Sequence, residues 1–164
     1  MRKTASTEIF SNVFPKFAPG ELPRGHGERL LVVDDQEGVL QCARAVLTKF
    51  GYRVMTAGSG AEALLLYARH KQKIALVIAD IVMPNMNGPT VIWLLRLINP
   101  KVRVIAMSGY APISPAVEAL HADEEHFLGK PFTTQELLCM IRDTLAEPDR
   151  LATSPGARPA AQAC

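Results

Sequence analysis

The sequence predicts an α/β fold of five βα units, with a parallel sheet between two layers of helices. Two observations predict it: short solid apolar runs that each stop at a polar residue, and helical apolar stripes that alternate with those runs as far as residue 148. Strands that read as near-continuous apolar runs must be covered on both faces, and alternation with helices implies right-handed parallel crossovers.

The first strand is Leu30-Leu31-Val32-Val33, which stops at Asp34-Asp35. From Glu37 to Phe50, the residues Val39, Ala43, Val46, Leu47 and Phe50 share one helical face, and Gly51 closes the helix. Tyr52 to Thr56 alternates, with Tyr52, Val54 and Thr56 opposite Arg53 and Met55, as expected of a wetter strand at a sheet edge. Ser59-Gly60-Ala61-Glu62 has the S-x-x-E form of a capping box and opens a helix to about His70. Ile74 to Ala79 then runs apolar into Asp80, and a third helix covers roughly Pro89 to Asn99. A strand from Val102 to Met107 ends at Ser108. A weaker helix follows from Ser114-Pro115 to about Ala122, with Pro115 at a favoured first position. The last strand, Glu125 to Gly129, ends at Lys130. The box Thr133-Thr134-Gln135-Glu136 opens a fifth helix that carries Leu137, Leu138, Met140, Ile141 and Leu145.

With 164 residues, 48% of them hydrophobic, the chain suits one domain with tails. Residues 1–27 read as a flexible N-terminal segment rich in Pro and Gly, 28–148 as the folded domain and 149–164 as a flexible C-terminal tail. A formal charge of +2 is far from the basic excess of a nucleic-acid binder, so no direct nucleic-acid partner is expected. Cys42, Cys139 and Cys164 are widely spaced and lack a CxxC pair, which argues against a disulfide framework or a zinc site. Cys42 and Cys139 fall among helical apolar positions and are expected at the core or its boundary. No apolar stretch approaches the roughly 18 residues of a membrane span, and no signal-peptide core follows Met1. The expectation is a cytoplasmic protein.

Chemistry collects at the strand ends, because open parallel sheets bind ligands beyond the carboxyl ends of their strands. If the order is 2-1-3-4-5, Asp34, Asp35 and Asp80 meet at the switch point. Like-charged carboxylates raise one another's pKa unless a cation neutralises them. A hard divalent ion with oxygen ligands does so, and Mg²⁺, which keeps waters and binds one or two carboxylates plus phosphate oxygens, suits an open rim. Lys130 and Ser108, arriving from neighbouring strands, would contact the remaining oxygens of a phosphoryl group.

Four segments, LLVVDD at Leu30–Asp35, VIADIVMPNMNG at Val77–Gly88, AMSGY at Ala106–Tyr110 and FLGKPF at Phe127–Phe132, resemble the receiver domain of two-component response regulators. The resemblance covers about residues 28–148 and implies a flavodoxin-like (βα)5 three-layer sandwich with sheet order 2-1-3-4-5. It also implies that Asp80 is the phosphoacceptor, that Asp34 and Asp35 hold Mg²⁺ together with Asp80, and that the Val82 carbonyl completes the metal shell. By the same resemblance Lys130 contacts the phosphoryl group, and Ser108 and Phe127 are the switch residues. Lys130-Pro131 would be cis. The partner implied is a histidine kinase or a histidine phosphotransfer protein. The chain would catalyse its own phosphorylation and slow dephosphorylation, signalling through the surface of the fourth helix, fifth strand and fifth helix.

Pro23-Arg24-Gly25-His26-Gly27-Glu28 and the Ser108-Gly109-Tyr110 segment resemble the C-terminal receivers of hybrid histidine kinases. A stand-alone receiver and a piece of such a kinase both fit, and the short tail is expected to leave no room for a DNA-binding output domain. Asp123 departs from the family at a position where glycine commonly ends the fourth helix, and Pro112 and Pro115 crowd that helix's start. His121 and His126, beside Asp123, Glu124 and Glu125, are expected to mark a solvated helix end. Three alternatives stay open: a phosphorylation-independent interaction module, a flavodoxin-like binding module and a Mg²⁺-dependent phosphatase. The last wants acids two residues apart, whereas Asp34 and Asp35 are adjacent.

Overall fold

The computed structural model describes residues 22–109 and 126–147. Five strands, β1 (Arg29–Val33), β2 (Arg53–Ala57), β3 (Ile74–Asp80), β4 (Val104–Ser108) and β5 (His126–Gly129), form one sheet in the order β2-β1-β3-β4-β5. Every pairing is parallel. Four helices are described: α1 (Glu37–Lys49), α2 (Gly60–His70), α3 (Gly88–Ile98) and α4 (Thr134–Ala146). This is the flavodoxin-like three-layer arrangement that the sequence predicts. The helix expected over Ser114–Ala122, together with Pro112, His121 and Asp123, lies outside the described residues.

The core has two layers, and strand alternation sorts residues between them. Leu31 and Val33 of β1 and Val104 and Ala106 of β4 face Tyr67 of α2 and Val91, Ile92 and Leu95 of α3. Leu30 and Val32, with Ile105 and Met107, face Leu40 and Leu47 of α1 and Leu137, Leu138 and Ile141 of α4. Burial on both faces is why the inner strands are solidly apolar, whereas edge strand β2 has Arg53 exposed and Val54, Met55 and Thr56 only half-buried. One bulge interrupts the ladder: Arg29 pairs with Ile74 but Leu30 pairs with Leu76, leaving Ala75 over.

Helix ends follow local chemistry. Gly51, at φ 93°, lets the chain leave α1 in a Schellman turn, with the Gly51 N–H donating to the Thr48 carbonyl and the Tyr52 N–H to the Leu47 carbonyl, both at 3.1 Å. A Cβ on Gly51 would collide with the Gly25 carbonyl, so the turn also admits the incoming chain. The Gly25 N–H donates to the Phe50 carbonyl at 2.8 Å, the Gly27 N–H donates to the Gly51 carbonyl at 3.0 Å, and Leu22 packs on the α1/α4 layer. Packing therefore reaches upstream of residue 28, the expected start of the domain. At α2, Ser59 accepts from the Glu62 N–H, but Glu62 accepts from Gly58, one residue before the cap, so the expected capping box is shifted. The box at Thr133 and Glu136 is complete.

Smaller expectations are corrected. β4 begins at Val104 rather than Val102. Cys139 is buried, but Cys42 is exposed because α1 turns its Leu40 and Leu47 face, not the Cys42 position, to the core. His126 marks no helix end. It sits half-buried in β5 with Nε2 2.8 Å from Glu147 Oε1, at ion-pair distance though off hydrogen-bond alignment.

Candidate functional site

Sheet register brings the polar strand ends together. Val33 pairs with Ala79, so the next residues, Asp34 and Asp80, stand side by side at the carboxyl edge. Ser108 pairs with Gly129, which delivers Lys130 one residue further along the same edge. Asp34 and Asp80 are 0% and 4% exposed, while Asp35 is exposed at the rim.

Each buried carboxylate has two fixed partners. Lys130 Nζ lies 2.6 Å from Asp80 Oδ2 and 2.8 Å from Asp34 Oδ2. The Val82 N–H donates to Asp80 Oδ1 at 3.0 Å, and the Gln36 N–H donates to Asp34 Oδ1 at 2.9 Å. Both are turns in which the side chain caps its own loop, which explains why an aspartate at a strand end holds its rotamer. Burial alone pulls the Lys130 ammonium down, but its hydrogen bonds to Asp34 and Asp80 and their charges outweigh burial and hold it above its ordinary value.

Asp34, Asp35 and Asp80 each offer one carboxylate oxygen within 4.8 Å of the others. Three carboxylates against one ammonium leave a local excess of negative charge, and the donors are all hard oxygens. That donor set fits a divalent cation such as Mg²⁺ and excludes a soft-metal site.

The remaining predicted residues surround this group. The Ser108 hydroxyl donates to the Gly109 carbonyl at 2.7 Å, and the Lys130 N–H donates to the Ser108 carbonyl at 2.6 Å, tying the ends of β4 and β5. Phe127 is half-buried, opposite Ala106 in the register, and packs on the α2/α3 layer. Val82 stands 61% exposed beside Asp80, and Lys130-Pro131 is cis. Sequence reasoning missed Gly88. A Cβ there would fall inside van der Waals distance of the Asp80 carbonyl oxygen and the Ile81 Cα, so only glycine lets α3 start this close to the site. Its position just after the Asn87 cap was the available signal.

Comparison with known proteins gives the class that this fold and site define. The family model for the response regulator receiver domain matches residues 30–142, and the chain belongs to that family. It is 36% identical over 121 residues to the sensor kinase CckA of Brucella abortus, covering 73% of this chain and 13% of that protein. It is 33% identical over 129 residues to a probable transcriptional regulator, ycf27, of Pyropia yezoensis, covering 79% of this chain and 52% of that one. The chain thus spans about half the length, or less, of these relatives. Among solved structures, a receiver domain protein from Clostridium thermocellum superposes with a TM-score of 0.67 at 30% identity, over 71% of this chain and 93% of that one. A chain of the CheX-CheY-BeF3-Mg+2 complex from Borrelia burgdorferi matches with a TM-score of 0.66 at 26% identity, over 73% of this chain and 90% of that one.

Proposed function

We propose that this receiver accepts a phosphoryl group on Asp80 from the phosphohistidine of a histidine kinase or histidine phosphotransfer protein. The observation that carries the reading is the Asp80 carboxylate itself: nearly buried, held by Lys130 on one oxygen and the Val82 N–H on the other, and grouped with Asp34 and Asp35.

An aspartate oxygen attacks phosphorus as the histidine N–P bond breaks, and the bond's electron pair returns to the imidazole nitrogen, leaving an acyl phosphate. The attacking oxygen uses its own lone pair, so no general base is required. Lys130 would move its ammonium from Asp80 toward the incoming phosphoryl oxygens, where negative charge is concentrated during transfer. Asp34, Asp35, Asp80 and the Val82 carbonyl would hold Mg²⁺, which supplies further neutralisation of those oxygens when bound. Ser108 would exchange its Gly109 carbonyl for a phosphoryl oxygen, and Phe127 beside it would repack, shifting the population of the surface around β5 and α4. Water attack on the acyl phosphate then regenerates Asp80. A cytoplasmic location follows from this chemistry; among the described residues no helix is long and apolar enough to cross a membrane.

Intact mass after incubation with Mg²⁺ and acetyl phosphate tests the reading. A phosphoryl-sized gain that vanishes in Asp80→Ala is expected. A gain that persists in Asp80→Ala places the chemistry elsewhere, and no gain with Mg²⁺ bound favours phosphorylation-independent interaction.

A further inference from the structure

The edge of the sheet opposite the carboxylates carries the opposite charge. Arg29 and Arg53 are direct partners at the starts of β1 and β2, and Arg29 also pairs with Ile74, the residue after Lys73. Strand alternation turns both arginines to the α2/α3 side, as it does Leu31 and Met55. There α2, running back from the carboxyl edge, ends in Arg69, His70 and the cap Lys71. Like charges directly opposite on neighbouring strands are destabilising, and no carboxylate offsets them. Arg29, Arg53, Arg69, Lys71 and Lys73 form no ion pair and no side-chain hydrogen bond with any described residue. The end of α2 accounts for Arg69 and Lys71, since cations suit a helix's last turn, but not for the three on the sheet edge.

An apolar surface adjoins these cations. α2 and α3 lie side by side, and near their C-terminal ends the Asn99 side-chain amide donates to the Tyr67 hydroxyl at 2.9 Å. A surface helix ordinarily turns polar residues outward. Yet α3, whose one charge is Arg96, turns out Trp93 and Leu97, 59% and 63% exposed. On α2, Leu65 is 52% exposed one turn before Arg69. These three stand on the convex backs of helices, so a protein partner would need a matching hollow, whereas lipid headgroups part around them. Exposed Trp and Leu beside Lys and Arg is the composition that binds at the headgroup level of anionic bilayers.

We propose that the corner formed by the α2/α3 backs and the amino edge of the sheet docks on an anionic lipid surface. Leu65, Trp93 and Leu97 enter the headgroup layer, and Arg29, Arg53, Arg69, Lys71 and Lys73 meet the lipid phosphates. Asp80, at the far edge, stays open to a partner in solution. The inference rests on charge and exposure and holds whether or not Asp80 is phosphorylated.

Trp93 is the chain's one tryptophan, so its emission reports docking directly. The full chain is titrated with vesicles of equal parts phosphatidylglycerol and phosphatidylcholine in about 0.1 M salt, where the screening length is about 10 Å. A blue shift of Trp93 and sedimentation with these vesicles are expected, and neither with phosphatidylcholine alone. At roughly fivefold per cation, Lys71→Gln with Lys73→Gln should weaken binding about 25-fold. Leu97→Gln should weaken it and reduce the blue shift. All three positions are exposed, and circular dichroism checks that each variant keeps its helix content. No sedimentation, equal binding to uncharged vesicles, binding unmoved by the lysine pair, or sedimentation without a Trp93 shift each overturns the proposal. So does binding to a duplex oligonucleotide with none to vesicles, which assigns the basic edge to nucleic acid.

Discussion

Gly88 opens α3 directly against the backbone of Asp80, at a separation that leaves no room for a side chain. The Gly88 N–H also donates to the Ile81 carbonyl at 2.9 Å, so the loop after Asp80 and the helix that follows are held as one unit. Gly88→Ala should destabilise the fold by about 1–3 kcal/mol through overpacking against backbone that cannot yield. It should also slow labelling by acetyl phosphate more than a surface substitution of equal stability cost does. Urea unfolding and a labelling time course measure the two effects.

Among the described residues, Lys130 is the cation bonded to both buried carboxylates of the site, Asp34 and Asp80. Lys130→Ala leaves Asp34 and Asp80 facing each other, and the expected loss is about 1–3 kcal/mol, below the value for a fully buried pair because the lysine is partly exposed. Mg²⁺ should recover part of that loss, since it would neutralise the same oxygens. Thermal unfolding with and without Mg²⁺ checks this, and acyl phosphate formation should fall sharply in either condition.

Asp35 is exposed and far less costly to change. Asp35→Asn should shift the stability of the metal-free protein by no more than about 0.5 kcal/mol. The stabilisation conferred by Mg²⁺, about 1.4 kcal/mol at ten times the dissociation constant, should largely disappear. Retention of that full stabilisation would exclude Asp35 from the metal shell.

Thr133 and Glu136 cap α4 reciprocally, and the backbone and side-chain hydrogen bonds from Thr133 hold the Glu136 carboxyl below its ordinary value of 4.5. The unfolded chain therefore binds more protons across this interval, so the contribution is complete above pH 4.5 and is lost as pH falls through the lower folded value. Glu136→Gln should flatten that acid limb and leave the slope above it unchanged. Thr133→Ala should cost about 1 kcal/mol at neutral pH. Both are read from urea midpoints across a pH series.

Much of this was legible in the sequence because strand burial and strand ends leave local signatures. Runs such as Ile74–Ala79 are solidly apolar since both faces are covered, and Asp34, Asp80, Ser108 and Lys130 stand out by interrupting such runs. Thr133 and Glu136 were readable as a box since both partners lie within one turn. The Ser59 box was not, because which N–H Glu62 reaches depends on the path of Gly58 before the cap.

The sequence by itself determined the βα alternation, the parallel sheet and the residues at its carboxyl edge, since each depends on periodicity or on composition over a few neighbours. Only the tertiary structure decided what lies at contact distance across the chain. Register set Lys130 on Asp34 and Asp80, helix rotation exposed Cys42, and the approach of α3 made Gly88 obligatory. The physical reason is that these contacts join residues remote in sequence, so no local pattern records them. They are fixed when the sheet aligns its strands and the helices settle on its two faces.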